Sequence, residues 1–517
     1  MIGAPEGRAG GCRCHRQRSR LAGLLAAMAT LSATMAGAGP GFEDRSADLP
    51  RHSYTGGWEH FVGGGLAVLD CNGDAHPDIF AAGGSSPAQL LVNLGDLTFT
   101  AAPLEEITAV TGAYPLDLDA DGTLDLYVMR AGPDMALKGA GDCTFTDATE
   151  ALGLPTSDAW TTAFTAWWAE GDPRPTLAVG HYVDRNDPDG PFEACDANAI
   201  LHPAPDGWTS TPLTPGFCPL SMLAARDARG RQTLRISNDR HYYVRGGSEQ
   251  MWDIAEARFL TEADGWDGPM LWGMGIASRD LTGDGRDEVM LTSMGDQVLQ
   301  IARPDGSYAP APFSIGTYAQ RPHTGEDGRP STGWHAQFGD IQNDGRPDLF
   351  IAKGNVDQMP GLAMEDPNNL LIQQADGTFI EAAAEAGIAT TARSRGAALA
   401  DFDGDGRLDL VVNNRRAPME AYRNTTPGTG YWLAIALAQP GPNAFAIGAT
   451  VTVTTASGRQ VQQNTVGGGH AGGQALPLHF GLGAATVAEV TVTWPDGTTT
   501  TTRTDSLDKT LSLRPAR

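Results

Sequence analysis

Short apolar runs recur along the chain, and each follows a turn rich in acidic residues. The runs are β-branched or aliphatic, as in strands buried on both faces, and they read DIFAAG, DLYVMR, EVMLTS, DLFIAK and DLVVNN. Segments rich in Gly and Ala stand before most of the turns, such as GGGLAVLD and GMGIASRD. Small residues suit the innermost strand of a sheet, where neighbouring sheets crowd around an axis. The pattern predicts repeated units of strand, turn and buried strand.

The turns share one nine-residue element with acidic or amide residues at places one, three, five and nine. Five intact copies, loops one, two, five, six and seven, cover residues 70–78, 117–125, 280–288, 340–348 and 401–409. Two eroded copies, loops three and four, cover residues 168–176 and 225–233. The seven first places are 47 to 61 residues apart, which leaves room for two further strands in each unit. The sequence therefore predicts an all-β fold built on a seven-bladed β-propeller.

Oxygen side chains that alternate along a tight turn converge on one point, where the carboxylates repel each other unless a cation neutralises them. Ca²⁺ accepts six to eight oxygens in flexible geometry, whereas Mg²⁺ demands a stricter octahedron. The side chain at place seven varies, so we expect that residue to bind through its backbone carbonyl. Solvated acidic turns without a metal are the alternative.

An EF-hand is excluded, because its loop needs a bidentate Glu at place twelve. That place is apolar in all five copies and holds Ala81, Val128, Leu291, Ile351 and Val412. The intact loops predict up to five Ca²⁺ sites. Their predicted ligands are Asp70, Asn72, Asp74, His76, Asp78, Asp117, Asp119, Asp121, Thr123, Asp125, Asp280, Thr282, Asp284, Arg286, Glu288, Asp340, Gln342, Asp344, Arg346, Asp348, Asp401, Asp403, Asp405, Arg407 and Asp409.

The tail of the chain, from about Tyr431, has the alternation of a separate β module. Val490, Val492 and Trp494 alternate with threonines, as do Val451 and Val453, so that each strand turns one face to a core.

Both parts of the chain resemble known modules. The loops with their flanks resemble FG-GAP (VCBS) repeats, and RGAALADFDGDGRLDLVVNN at 395–414 is similar to the last blade of that family. The segments AIGATVTV, LHFGLG and VTVTWPDG at 446–453, 478–483 and 490–497 resemble the ASPIC/UnbV module. The pairing is that of the cartilage acidic protein-like family of bacterial type, whose bacterial members mostly lack an assigned activity.

The resemblance implies a calcium-binding propeller over residues 39–428 and a small β domain over residues 429–517. Blades three and four depart from the family pattern, because Trp168 and Ala225 replace the first ligand and Thr176 and Thr233 the last. The segment GFEDRSADL at 41–49 resembles the family segment before blade one. Since the last blade is one strand short, we expect this segment to supply its outer strand and leave no unpaired edge.

Composition and the N-terminus indicate export. With 62 Asp and Glu against 36 Lys and Arg, the formal charge is −26, which argues against nucleic acid as a partner. Residues 1–38 have an Arg-rich start, an uncharged stretch and small residues at the end, which predicts a signal peptide cleaved near Ala38. An uncleaved anchor is the alternative. We expect a secreted or periplasmic protein with no membrane span after cleavage.

Four cysteines remain after the signal, and in an exported chain they favour disulfides. Cys195 and Cys218 flank one Pro-rich loop and are the preferred pair, which leaves Cys71 with Cys143. Free buried thiols are the alternative for the second pair.

No catalytic motif was found in the sequence. The glycines Gly467, Gly469 and Gly472 match GxGxxG, but no helix is predicted after them, so a dinucleotide site is discarded. The sequence therefore favours a binding, adhesion or scaffold role toward an extracellular protein or glycan. An extracellular propeller enzyme acting on a polysaccharide is the alternative, since a fold does not determine a function.

Several aromatic residues stand upstream of the loops and should emerge at the opposite opening of the propeller. We expect a ligand site there, formed by Trp58, His60, Trp160, Trp272, Trp334 and His335. The alternative is that these Trp side chains wedge between blades. The insertion over residues 181–219, with the Cys195 and Cys218 pair, is a second candidate binding surface.

Overall fold

The computed structural model describes residues 39–187, 194–239 and 247–516, and these residues form an almost purely β structure. The signal predicted over residues 1–38 lies outside them. The only α-helix in these ranges is α1 (Ala383–Ala386), and short 3-10 turns lie at Ser46–Asp48, Trp58–His60, Glu262–Asp264 and Phe313–Ile315. None of these helices has the length and apolar character needed to cross a membrane.

Within these described ranges, seven antiparallel sheets follow one another after a first strand β1 (Phe42–Asp44). Their strands are β2 (Leu66–Leu69), β3 (Asp78–Ala81), β4 (Gln89–Asn93) and β5 (Phe99–Ala101); β6 (Val110–Leu116), β7 (Asp125–Arg130), β8 (Met135–Gly139) and β9 (Phe145–Asp147); β10 (Thr161–Trp167), β11 (Thr176–His181), β12 (Asn198–Ala204) and β13 (Gly207–Leu213); β14 (Pro219–Arg226), β15 (Gln232–Asn238), β16 (Gln250–Asp253) and β17 (Arg258–Phe259); β18 (Gly273–Arg279), β19 (Glu288–Ser293), β20 (Val298–Ala302) and β21 (Tyr308–Pro310); β22 (Gly333–Gly339), β23 (Asp348–Lys353), β24 (Asn369–Gln373) and β25 (Phe379–Glu381); and β26 (Ser394–Ala400), β27 (Asp409–Asn414) and β28 (Glu420–Asn424).

The sheets close into a ring of blades. The inner strand of each sheet contacts the inner strand of the next, and β26 of the seventh contacts β2 of the first. Strand β1 pairs antiparallel with β28, with Phe42 opposite Asn424, and completes the seventh sheet. This pairing confirms the prediction that the N-terminal segment supplies the outer strand of the last blade.

Each interface between neighbouring blades holds its own apolar cluster. At the interface of blades two and three, for example, Tyr127 stacks on Phe164 with 4.2 Å between the ring centroids. The second strand of each blade is buried along its length, as its unbroken apolar run predicts; in β3 every residue is buried. Burial of apolar surface between blades, rather than one central core, therefore stabilises the ring.

The tail forms two further sheets around a separate core. Its strands are β29 (Tyr431–Leu437), β30 (Thr450–Thr455), β31 (Gly458–Gln463), β32 (Gln474–Ala475), β33 (Leu478–Gly483), β34 (Ala488–Thr493), β35 (Thr499–Thr504) and β36 (Lys509–Leu513). Strands β33, β29 and β36 form one sheet, and β31, β30, β34 and β35 form the other. Val451, Val453, Val490, Val492 and Trp494 are all buried in the core between them, as their alternation predicts.

One segment of the tail leaves its own domain and enters the centre of the ring. This axial segment, residues 464–476, runs between β31 and β33 and touches inner strands all around the propeller. Its strand β32 pairs parallel with β2, so that the first blade has a fifth strand. Single bridges join Val466 to Ala166, Gly467 to Leu223, Gly469 to Ile276 and Gly472 to Ala113. The axial segment thus ties blades one to five to the tail.

His470 lies at the deepest part of the axial segment and is fully buried. Its Nδ1 is 3.1 Å from the Met274 carbonyl, and its Nε2 accepts a hydrogen bond from the Gly63 amide at 3.2 Å. Its own amide donates to Nδ1 of His335 at 3.1 Å. Burial lowers the pKa of His470 to about 3, so the ring is neutral and acts as a structural hydrogen-bonding group.

A glycine on the inner strand β6 and another just before β2 make room for this segment. A Cβ added at Gly112 would lie 1.7 Å from the carbonyl oxygen of Ala471, and one at Gly65 would lie 1.8 Å from it. Neither contact is possible, so these glycines exist because another backbone approaches closely.

We therefore predict that Gly112→Ala displaces the axial segment and lowers the free energy of unfolding by about 3 kcal/mol. Thermal unfolding should show the loss, and hydrogen exchange should show faster exchange at the amides of Gly468 and Gly469. Gly361→Ala is the control, because a Cβ there meets no atom within 4 Å. Equal melting of the two variants would contradict the assigned role of the axial segment.

Candidate functional site

The five intact acidic loops all follow an inner strand and therefore lie on one face of the propeller, called here the loop face. In each loop the first Asp turns back and accepts hydrogen bonds from backbone amides of its own loop. Gly122 donates to Asp117 at 2.9 Å, and Gly345 donates to Asp340 at 2.7 Å. Place six has a left-handed conformation, with φ of 87° at Gly122 and 88° at Gly345, which explains the glycine usually found there.

The carboxylate at place nine is buried in every intact loop and ties the turn to two strands. In loop seven, Asp409 accepts the Phe402 amide at 3.0 Å and the Asn424 amide at 2.8 Å. In loop two, the Asp125 carboxylate accepts hydrogen bonds from the Leu118 and Gly139 amides, each at 2.9 Å. These carboxylates thus have a structural role that the sequence did not indicate, because each holds the loop against the third strand of its blade.

Carboxylate oxygens converge within the loops. One oxygen each of Asp117, Asp119 and Asp125 lies within 4.8 Å of the others, and the same holds for Asp401, Asp403 and Asp409. Place seven donates its amide to the carboxylate at place five, for example Thr123 to Asp121 at 2.8 Å. The structure therefore brings together places one, three and nine of loops two and seven, as the spacing predicts.

Burial and mutual repulsion disfavour the charged form of these acids. Burial raises the pKa of Asp125 to about 7 and that of Asp401 to about 6, and neighbouring carboxylates add to the rise. One carboxylate oxygen of Asp401 is buried and accepts no hydrogen bond from the described residues. A donor set of oxygens alone, in excess of nearby positive charge, fits a hard dication such as Ca²⁺.

Protein cations contact the outer carboxylates of several loops. Lys138 contacts both Asp119 and Asp121 in loop two. Arg407 contacts Asp405 in loop seven. In the same loop the buried carboxylate of Asp403 forms an ion pair with Arg423 at 2.5 Å. These ion pairs lie at places three and five, so the carboxylates at places one and nine keep their excess negative charge.

The eroded loops of blades three and four differ from the intact ones. In loop four the guanidinium of Arg231 forms an ion pair with Asp227 at 2.7 Å. The Asp227 carboxylate also accepts the amides of Arg229 and Arg231, each at 2.9 Å. An internal arginine thus closes this turn, which fits the loss of the ligands at places one and nine.

Both disulfides have the predicted pairing. Cys71 is bonded to Cys143, with 4.8 Å between Cα atoms, and joins blade one to blade two beside loop one. Cys195 is bonded to Cys218, with 5.0 Å between Cα atoms. The alternative of free thiols for Cys71 and Cys143 is therefore wrong.

The tail domain packs on the loop face, against loops five, six and seven. Gly430 donates to the Gln342 carbonyl at 3.0 Å, and Gly483 donates to the Asn343 carbonyl at 2.8 Å. In loop seven, Nε2 of His479 is 3.1 Å from the Gly406 carbonyl. The acidic loops thus join the two domains, a contact that the sequence did not predict.

The opposite face carries the predicted aromatic residues, but only some of them reach the surface. Trp160 and Trp334 are fully buried, and His60 and His335 are nearly so. The expectation that these four offer their rings to a ligand is wrong, because Trp160 and Trp334 pack in the apolar cluster beneath this face and His335 contacts the axial segment. Trp272 is half-buried.

Trp58 is the exposed member of the set. Half of its surface, 50%, is accessible. Its ring lies 4.7 Å from Phe61 and 5.9 Å from the buried Trp160, measured between centroids. Arg185 lies beside it and forms an ion pair with Glu59 at 2.7 Å. An exposed ring held in place by two aromatic neighbours is suited to contact a ligand.

Two buried arginines, which were not predicted from the sequence, support this face from below. The Arg395 guanidinium lies 3.9 Å from the centroid of Trp334 and donates to the Phe61 and Asn355 carbonyls at 3.2 Å each. Arg415 is also buried and donates to carbonyls of Gly56 and His60. Both hold the turn that presents Trp58.

Family comparisons agree with this architecture. The model of the FG-GAP-like repeat matches residues 70–128, 280–351 and 357–412, and the model named ASPIC and UnbV matches residues 439–517. The chain carries FG-GAP-like repeats and a C-terminal ASPIC and UnbV domain. The ranges matched by the FG-GAP model exclude residues 129–279, where loops three and four are eroded.

Relatives of this FG-GAP repeat protein include cartilage acidic protein 1. The mouse and human proteins are each 35% identical to it over 109 residues, which is 20% of this chain. The aligned stretch spans 17% of the mouse protein and 16% of the human one.

Among solved structures, BBS1N in complex with ARL6DN covers 74% of the chain and 96% of its own, with 10% identity and a TM-score of 0.44. An Agrocybe aegerita lectin that recognises non-reducing terminal N-acetylglucosamine covers 70% of the chain and 80% of its own, with 14% identity and a TM-score of 0.29.

The difference between Trp160 and Trp58 can be tested by stability. We predict that Trp160→Ala lowers the free energy of unfolding by about 3 to 5 kcal/mol, because it empties a buried site. Trp58→Ala should cost about 1 kcal/mol or less. Urea denaturation of both variants checks the assignment, and a Trp58→Ala variant as unstable as Trp160→Ala would contradict it.

Proposed function

We propose that this protein is an exported, calcium-stabilised β-propeller that binds an extracellular protein or glycan through the face opposite its acidic loops. The observation that carries the proposal is the exposed ring of Trp58, which is held over the buried Trp160. Aromatic rings that are exposed yet fixed bury ligand surface at a small cost in side-chain entropy.

An extracellular location is supported by two features. Disulfides persist in oxidising compartments and are rare in the cytosol, and the part of the chain that the structure describes contains two of them. The relatives cartilage acidic protein 1 are named for a tissue and for an acidic composition, and this chain also has a large excess of acidic residues.

Calcium would serve stability in this proposal. The loop face crowds buried carboxylates at the ends of five inner strands and places the tail domain against three of those loops. Bound Ca²⁺ would neutralise these carboxylates, with the side chains at places one, three, five and nine as its ligands. The aromatic face, on the other side of the ring, would then be free for a partner.

Removal of calcium tests the proposed metal sites. Chelation with EDTA should lower the melting temperature markedly, because each independent site adds about 2.7 kcal/mol at a calcium concentration 100 times its Kd. Extracellular calcium modules often have a Kd of about 10⁻⁴ to 10⁻³ M, so the comparison needs millimolar calcium. Differential scanning calorimetry in calcium and in EDTA measures the effect.

Two variants separate calcium binding from general destabilisation. Asp403→Ala removes a convergent carboxylate of loop seven, so the gain in melting temperature on adding calcium should shrink. Asp227→Ala breaks the ion pair with Arg231 in loop four, so it should lower melting equally with and without calcium. If melting of the parent protein is the same in calcium and in EDTA, the calcium proposal is wrong.

Binding to an array of candidate partners tests the proposed role of Trp58. The calcium-loaded chain should bind a small set of members of a glycan and extracellular-protein array, and Trp58→Ala should weaken that binding about ten-fold or more. Phe313→Ala is the matched control, because Phe313 is an aromatic side chain with 75% of its surface exposed at the outer edge of the ring. Binding that is unaffected by Trp58→Ala, or reduced equally by the control, would place the site elsewhere.

A further inference from the structure

A cavity lies between the loop face of the propeller and the tail domain. Its volume is about 470 Å³, within the range of about 300 to 1,000 Å³ that is usual for small-molecule sites. Phe338 and Leu399 from the propeller line it on one side, and Trp432 and Leu478 from the tail line it on the other. The cavity is distinct from the aromatic face, because it lies on the opposite side of the ring.

Arg279 is the cation in the wall of this cavity. It ends the inner strand β18, and 92% of its surface is buried, since only 8% is accessible. Arg279 also lines two smaller cavities, of about 210 and 50 Å³.

The guanidinium of Arg279 has no hydrogen-bond or ion-pair partner among residues 39–187, 194–239 and 247–516, and its Nε is fully buried. The guanidinium lies over the ring of Phe480, with 5.7 Å between its carbon and the ring centroid. A contact with a ring face leaves the N–H groups at the edge of the guanidinium unused. Buried charged groups are otherwise paired, because their desolvation is costly.

The nearest acids do not satisfy this cation. Asp280, Asp287 and Asp340 act on it only through space. Asp287 accepts hydrogen bonds from Ser278 at 2.9 Å and from Gln463 at 3.0 Å. Asp280 is turned into loop five, where Gly283 and Gly285 donate to it at 2.7 Å each.

We propose that the cavity binds a small organic monocarboxylate whose carboxylate group is held by Arg279. The planar guanidinium matches a carboxylate with two parallel N–H donors. The wall holds one arginine and the acidic residues Asp70 and Asp401, so a doubly charged phosphate or sulfate would be at most half neutralised. The apolar body of the ligand packs against the leucines and Trp432, so that the ligand contacts both domains.

The site can be tested on the full mature chain in calcium with two pairs of probes of equal shape. Benzoate and hexanoate carry the charge that Arg279 would bind, whereas benzamide and hexanamide do not. Isothermal titration calorimetry should show that each acid binds at least about ten-fold more tightly than its amide. The chain has 11 Trp, so a ligand-dependent change in fluorescence that is lost in Trp432→Phe gives a second readout in the cavity wall.

Variants then assign the effect to one residue. Arg279→Gln should weaken binding of the acids at least about ten-fold and leave binding of the amides unchanged. Arg303→Gln is the control, because Arg303 is exposed on the same blade and outside the cavity.

Three results would overturn the proposal: no binding of either acid, equal binding of acid and amide, or unchanged acid binding by Arg279→Gln. The comparison of acid with amide uses the unaltered protein, so it decides even if Arg279→Gln fails to fold. The effect of Trp58→Ala on binding to the array concerns the opposite face of the ring, so the array test and the carboxylate test can succeed or fail independently.

Discussion

Crowded carboxylates at the ends of the inner strands are the constraint on which the rest of the structure depends. Each intact loop brings several acids together because its turn is only nine residues long, and its ninth residue must be buried to hold the third strand. In loop two, for example, Asp125 is fully buried and accepts amides from both sides of the blade. Such a loop is stable only if its charge is neutralised. In blade four Arg231 neutralises the acidic residue of the loop. In our account, Ca²⁺ neutralises the carboxylates of the intact loops.

The crowded carboxylates also affect the tail domain, because this domain packs on loops five, six and seven. Its axial segment passes from there into the centre of the ring and pairs with inner strands. A propeller of this size leaves space along its axis, and here backbone from another domain fills that space. The two domains are thus joined by backbone hydrogen bonds and by the acidic loops together, so a change in the charge of the loops acts on both.

Much of the fold could be predicted, because an acidic loop followed by an apolar strand recurs at regular spacing and each copy marks one blade. The eroded copies followed from the same spacing. The outer strand from residues 41–49 followed from the family resemblance and the missing strand of the last blade, and the disulfides from the Pro-rich loop and from elimination. The axial segment could not be predicted, because a glycine-rich stretch has no period. Its GxGxxG glycines, like Gly112 on β6 and Gly65 just before β2, permit close approach of two backbones rather than nucleotide binding. Whether a Trp before an inner strand is exposed depends on neighbours distant in sequence, as Trp58 and Trp160 show. A single arginine such as Arg279 belongs to no sequence motif, so its place in a cavity could not be predicted.

The most direct test of the central claim is a count of bound ions at equilibrium. Calcium-depleted mature chain can be dialysed against radioactive Ca²⁺ over concentrations that span about 10⁻⁵ to 10⁻² M, a range that covers weak extracellular sites. The account predicts saturation near five ions per chain, one for each intact loop, and one ion fewer for Asp403→Ala. Binding of no ions across this range would contradict the claim that calcium neutralises the acidic loops.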